Sequence, residues 1–150
     1  MWATAGTNAG RGWEVAIVNI VDRIKRSVAN RSDDVFLRRE FKRFGSPAQV
    51  SRALATLTWE GLLVRVGVGV YAKAKPSVLS GEPIPVRPLE VLAPQVLRKL
   101  GVPVRPSRLT RAYNEGRSPQ LPAGIVLNVG NRRISRKLGF KGKVVQYERA

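Results

Sequence analysis

The segment Ser46-Pro47-Ala48-Gln49-Val50-Ser51-Arg52-Ala53-Leu54-Ala55-Thr56-Leu57-Thr58-Trp59-Glu60-Gly61, followed at once by Leu62-Leu63-Val64-Arg65-Val66-Gly67-Val68-Gly69-Val70-Tyr71-Ala72-Lys73, carries the strongest structural signals in the chain. Ser46 opens a capping box. Its hydroxyl can accept from the amide three residues on, Gln49 can reach back, and Pro47 occupies the one helical position where a missing N–H costs nothing. Val50, Leu54 and Leu57 then recur at helical spacing, and Gly61 suits the left-handed conformation just past a helix end. The Val-rich run that follows, interrupted only by Gly67-Val68-Gly69, reads as two short strands around a glycine turn. Trp59 falls away from the apolar stripe, where a large ring is rarely left in water unless something covers it.

Working back toward the N-terminus, Ile17, Val21, Ile24 and Val28 place one apolar stripe on a helix from Trp13 to Asn30. Leu37 and Phe41 share a face of a second, short helix expected over Val35 to Phe44, which ends at Gly45. Three helices followed by a hairpin spell a winged helix, whose third helix enters the major groove. Opposite the buried stripe that helix carries Ala48, Arg52 and Ala55, with Gln49 and Thr56 alongside, so Gln49 and Arg52 are the candidate base readers and Ser46 the cap at the groove. Arg38, Arg39, Lys42 and Arg43, with Arg65 and Lys73 from the hairpin, are the candidate phosphate contacts, because flexible point charges position without reading sequence. A solvated helix face is the ordinary alternative role for each cation taken singly.

Working forward, Pro76 to Pro88 holds the φ-locked Pro76, Pro83, Pro85 and Pro88 together with Gly81, too many breakers for a helix or a central strand. It is read as a connector, which divides the chain into residues 1–75, a winged-helix domain; 76–88, the linker; and 89–150, a small α+β lobe. In that lobe Leu89, Leu92, Val96, Leu97 and Leu100 mark a helix, and Ser107 caps a shorter one ending near Asn114-Glu115-Gly116. Ile125–Val129, Arg132–Ile134 and Val144–Tyr147 are expected as strands, with turns at Gly130-Asn131 and Lys141-Gly142. The fold class is therefore α+β throughout. Arg132, Arg133, Arg136 and Lys137, with Lys141 and Lys143 beyond, form a second basic patch.

Composition narrows the chemistry. The 150 residues hold 27 Lys and Arg against 10 Asp and Glu, a formal charge of +17, with thirteen basic against six acidic residues before Pro76 and fourteen against four from it onward. At 43% hydrophobic the chain is too apolar to be a disordered basic tail. Excess positive charge of this size favours polyanionic partners, nucleic acid first, through counterion release. With no His and no Cys, zinc fingers, thiol nucleophiles and Ser-His-Asp triads are excluded. No apolar run is long enough to cross a bilayer, so no membrane partner and a cytoplasmic location are expected. Gly67-Val68-Gly69-Val70-Tyr71-Ala72 nominally satisfies a dinucleotide fingerprint, but strand and Pro-rich signals follow it where a helix must begin. No enzyme activity, cofactor or metal is therefore expected.

The stretches Val35-Phe36-Leu37-Arg38, Val50-Ser51-Arg52-Ala53-Leu54 and Gly61 to Lys73 resemble the AbiEi-like antitoxins of bacterial abortive-infection systems. So do Pro106-Ser107, Ala112-Tyr113-Asn114-Glu115-Gly116-Arg117 and Gln120-Leu121-Pro122-Ala123-Gly124 in the second lobe. The similarity spans about Val35 to Glu148. The resemblance implies a winged-helix transcriptional regulator that represses its own operon, with a C-terminal lobe opposing a nucleotidyltransferase-type toxin encoded beside it. In these type IV toxin–antitoxin pairs the two proteins need not form a stable complex. Tyr113, Asn114, Glu115 and Arg117 carry the distinctive half of the resemblance; a capped helix end is their alternative, structural role.

The expected partners are a double-stranded operator bound by two copies on adjacent half-sites, and a cognate toxin. Two alternatives stand beside this reading. One is an interaction protein that neutralises its toxin through the second lobe with DNA contact secondary, and the other is a basic RNA-binding protein.

Overall fold

The computed structural model describes residues 12–117, 119 and 124–149. Helix α1 (Gly12–Asn30) runs into strand β1 (Val35–Leu37), a 3₁₀ helix (Arg38–Phe44), helix α2 (Pro47–Trp59) and the strands β2 (Leu63–Gly67) and β3 (Val70–Pro76). Then come β4 (Pro83–Pro85), α3 (Leu89–Lys99), β5 (Arg105–Pro106), α4 (Arg108–Asn114), β6 (Ile125–Asn128), β7 (Gly139–Phe140) and β8 (Lys143–Glu148). Among the described residues, five helices and two four-stranded sheets make an α+β fold, the class that the patterning indicated.

The signals around Ser46 are realised in full. The Ser46 hydroxyl accepts from the Gln49 amide at 3.2 Å, and the Gln49 side-chain oxygen accepts from the Ser46 amide at 2.9 Å, so two otherwise orphaned donors are satisfied. Val50, Leu54 and Leu57 are buried together with Ala53, and Gly61 takes φ +82°, the conformation a side chain would oppose. Two-residue turns close β2 on β3 and β7 on β8, with Gly67 opposite Val70 and Phe140 opposite Lys143. The Gly67–Ala72 segment is thus the tip and arm of a hairpin; no helix begins in it to receive a pyrophosphate.

Two expectations are corrected, at Val35–Leu37 and at Arg132–Ile134. Val35 to Leu37 are strand, not the first turn of a helix: all three are buried, and they pair antiparallel with β3 in the register Val35–Ala72, Phe36–Tyr71, Leu37–Val70. Only Arg38 to Phe44 are helical, as a 3₁₀ segment whose entry is held by the Glu40 carboxylate accepting from the Leu37 amide at 2.7 Å. The Pro-rich stretch holds no helix and no central strand, but Pro83–Pro85 lies antiparallel on the end of β3; an edge strand tolerates proline because one row of N–H groups has no partner to lose. Arg132–Ile134 are not strand, and β8 instead pairs in parallel with β6 and antiparallel with β7.

Among the described residues the buried side chains form two clusters. One gathers Ile20, Ile24, Phe36, Phe41, Val50, Ala53, Leu54, Leu57 and Leu63 between α1, the 3₁₀ helix and α2. The other joins Val35, Leu37, Val64, Val66, Val70 and Ala72 to Leu92, Val96, Leu97, Val129, Leu138, Val145 and others beyond Pro88. The Pro76–Pro88 segment therefore does not separate two cores, because the second cluster draws on both sides of it.

A polar seam braces the same junction. The Lys99 ammonium, near the end of α3, donates to Asp33 at 2.9 Å, to both oxygens of Glu40 at 3.0 and 2.9 Å and to the Val35 carbonyl at 2.8 Å. Arg31 donates to the same two carboxylates at 2.5 and 2.6 Å. The hydrogen bond from Lys99 holds Asp33 below the ordinary carboxylate range. For Glu40 burial pushes the pKa up, but the Leu37 amide and the hydrogen bonds from Lys99 and Arg31 outweigh it and leave the group lowered. Carboxyls depressed in the folded state contribute stability that is complete above their unfolded values near pH 4 and is lost as the pH falls through the folded ones. Lys99→Met is accordingly expected to cost about 1–3 kcal/mol at pH 7. It should also move acid unfolding to higher pH, and urea midpoints measured between pH 3 and 7 check both.

Candidate nucleic-acid interface

The exposed side of α2 presents Ala48, Arg52, Ala55 and Trp59, and the spacing of four, three and four places them on one stripe. Arg52 is exposed with no hydrogen bond or ion pair of its side chain among the described residues. Trp59 is 89% exposed, so neither the hairpin nor the second lobe covers it, and its ring prolongs the Arg52 face toward the helix C-terminus. Gln49 is half-buried and spends its side-chain oxygen on the cap, which leaves its amide NH₂ to face outward chemistry. Thr56, half-buried alongside, donates its hydroxyl to the Arg52 carbonyl at 3.0 Å.

The candidate phosphate contacts divide into those that remain at the surface and one that does not. Arg38, Arg39, Lys42 and Arg43 are all exposed along the 3₁₀ helix. Arg38 donates to the Ser51 hydroxyl at 3.1 Å and Arg39 to the Lys99 carbonyl at 2.7 Å, which fixes two guanidiniums while leaving most of their donors unused. Arg43 lies over the Phe44 ring, 4.9 Å from its centroid, and Arg23 of α1 lies over the same ring at 4.9 Å. Arg65 is exposed and donates to the Gly67 carbonyl at 3.2 Å. Lys73 turns inward instead: its ammonium donates to the Arg31 carbonyl and lies 6.0 Å from the buried Phe36 ring, which removes it from the outer face of the hairpin. The alternation along β3 gave no sign of this, because the aromatic and the carbonyl that hold Lys73 belong to other elements.

In the second lobe, α4 begins at its Ser107 cap, whose hydroxyl accepts from the Thr110 amide at 3.2 Å. Tyr113 and Asn114, at its end, are exposed, as are Glu115 and Arg117, which pair with each other at 2.6 Å. An exposed pair this close in sequence contributes little to stability. Gln120 to Ala123 lie outside the described residues. Arg132 donates to the Gly101 carbonyl at 3.2 Å and Arg133 is exposed, while Arg136 crosses to the hairpin and donates to the Val68 carbonyl at 2.8 Å. Lys137, beside it, is exposed.

These placements bring Arg136, distant in the sequence, to the cations of the 3₁₀ helix at one cleft of about 370 Å³. Its cationic rim is Arg38, Arg39, Lys42 and Arg136; Leu37, Val50, Val68 and Leu100 supply apolar lining, and Pro47 brings in the first turn of α2. Among the described residues no carboxylate lines it. Like charges held together without a counter-charge favour an anion, and the N-terminal end of a helix adds partial positive charge of the same sign. Among the described residues no group of His, Cys, Asp and Glu could hold a metal ion, and no helix is long and apolar enough to cross a membrane. Compared with family models, curated proteins and solved structures, the chain matches none.

Proposed function

We propose that the chain is a sequence-specific, double-stranded-DNA-binding regulator of winged-helix type. In this reading α1, the 3₁₀ helix and α2 are the three helices, β2 and β3 the wing, and β1 the short strand that completes the wing's sheet. The observation that carries it is the Ala48–Arg52–Ala55–Trp59 face of α2, exposed and uncommitted, beside the carboxylate-free cationic cleft. With α2 in the major groove, Arg52 is long enough to reach a guanine edge and offers the bidentate geometry that guanine O6 and N7 accept. Trp59 presents apolar surface to a thymine methyl or a deoxyribose. Arg38, Arg39, Lys42, Arg43 and Arg65 hold phosphates and set the register. Two copies on adjacent half-sites would occlude a promoter.

The antitoxin role belongs to the same proposal and rests on the resemblance of Val35–Lys73 and Tyr113–Gly124 to the AbiEi-like antitoxins. The regulator represses its own operon and opposes a nucleotidyltransferase-type toxin, with no substrate turned over by this chain and no cofactor required. Nuclease footprinting of the full chain on the DNA upstream of its own gene tests the reading. Protection of a discrete stretch, relieved by Arg52→Ala, is the expected result. Uniform protection along the duplex, or a structured RNA that outcompetes this DNA at equal salt, would transfer the function to non-specific or RNA binding.

A further inference from the structure

We infer that the second lobe is part of the DNA interface: Arg136 completes a phosphodiester-binding cleft whose other cations are Arg38, Arg39 and Lys42, so that one strand's backbone is gripped by both halves of the chain. The inference rests on the proposed DNA-binding function and deepens it, since a winged helix needs no contribution from a distant C-terminal loop.

Three consecutive residues of that loop are anchored beside the hairpin tip. Leu138 is fully buried in the shared core. The Lys137 carbonyl lies so close to β2 that a Cβ added at Gly67 would meet it at 2.8 Å, a clash that only glycine avoids. Arg136 donates to the Val68 carbonyl at 2.8 Å, and its own carbonyl accepts from the Tyr147 hydroxyl at 2.8 Å. The guanidinium is therefore positioned by both its head and its backbone, where a freely solvated arginine would be held by neither. Among the described residues one of its five donors is used, which leaves the others for an anion.

The charges in this cleft imply the ligand's class. Among the described residues none of the four cations has a carboxylate partner, although the neighbouring Arg31 and Lys99 share two. Arg38 and Arg39 are held at their heads by Ser51 and by a main-chain carbonyl, so their placement does not depend on a counter-ion. The cleft lies between the N-terminal turn of α2 and the turn of the β2–β3 hairpin, the two elements that flank a backbone strand when one enters the major groove and the other reaches the neighbouring minor groove. A phosphodiester there meets the guanidinium forks of Arg38, Arg39 and Arg136 and the Lys42 ammonium, beside the first turn of α2.

The test is a set of binding isotherms for the full chain on its own upstream duplex and on a scrambled duplex, each across a salt series, with wild type, Arg136→Ala and Arg136→Lys. If Arg136 holds a phosphate, Arg136→Ala weakens both duplexes by a similar factor of about 3 to 10. It also lowers the slope of log affinity against log salt by about 0.9, the value of one lost phosphate contact, and Arg136→Lys restores the slope. Thermal melting of each variant without DNA separates this from misfolding. An unchanged slope in a folded Arg136→Ala protein overturns the inference while leaving the DNA-binding reading intact. Absence of salt-dependent duplex binding by the wild type overturns both. Displacement of the duplex by millimolar pyrophosphate in wild type, with an Arg136→Ala protein whose duplex affinity is unaltered, would assign the cleft to a small free phosphate and likewise overturn it.

Discussion

Leu92→Ala is expected to destabilise the whole chain by about 2–5 kcal/mol, the range for deleting a fully buried leucine side chain whose cavity cannot collapse. Leu92 is fully buried on α3 within a cluster to which β1, β2 and β3 contribute Val35, Leu37, Val64, Val66, Val70 and Ala72. Its loss should therefore lower the stability of the N-terminal elements as well as of the second lobe, and a urea melt should show one transition shifted as a unit. By the same physics, a fragment beginning at Pro76 loses six of the seventeen residues of that cluster, the β3 partner of β4 and the carboxylates that hold Lys99. Such a fragment is expected to show no cooperative unfolding, so toxin opposition by the second lobe has to be tested with substitutions in the full chain. Two separate transitions, with only one moved by Leu92→Ala, would show that the cores are independent.

Arg52→Ala carries the second large effect. Removing a bidentate base contact is expected to weaken binding to the specific duplex by about 1–3 kcal/mol, a factor of roughly 5 to 150, while leaving affinity for a scrambled duplex nearly unchanged. Lys42→Ala, which removes a charge from the cleft rim, should weaken both duplexes alike and reduce the salt slope. Because Arg52 is exposed and its side chain makes no hydrogen bond or ion pair among the described residues, its substitution should leave the melting temperature within the range of ordinary surface changes. The contrast between the two variants separates reading from holding. Equal losses on both duplexes for Arg52→Ala would remove it from the base-reading face.

How far the sequence could be read follows from the range of the interactions involved. The α2 cap, its buried stripe and its Gly61 stop are set by residues within a turn or two of one another, and each is found as the pattern indicates. Val35 to Leu37 misled because Leu37 and Phe41 sit four apart, which mimics a helix; what makes the segment a strand is Val70 to Ala72, far along the chain. Pro83 and Pro85 read as breakers, and only their place at the edge of β3 reveals why a strand can tolerate them.

Arg132–Ile134 looked like a strand between turns, but the burial of Leu138 and the anchoring of Arg136 pull that loop onto the hairpin. The candidate cations were legible as a list and not as a site. Nothing local indicates that Arg136 joins Arg38, Arg39 and Lys42, that Lys73 leaves them, or that Trp59 shares the face of Arg52 without any cover.

The most direct test of a sequence-specific DNA reader is a titration of the purified full chain against its own upstream duplex and a scrambled duplex of equal length, at about 50 and 200 mM salt. Both affinities are expected to fall with salt, while a preference of about a thousandfold or more for the upstream duplex survives at 200 mM. Equal affinities that collapse together at the higher salt would contradict it, leaving charge alone as the basis of binding.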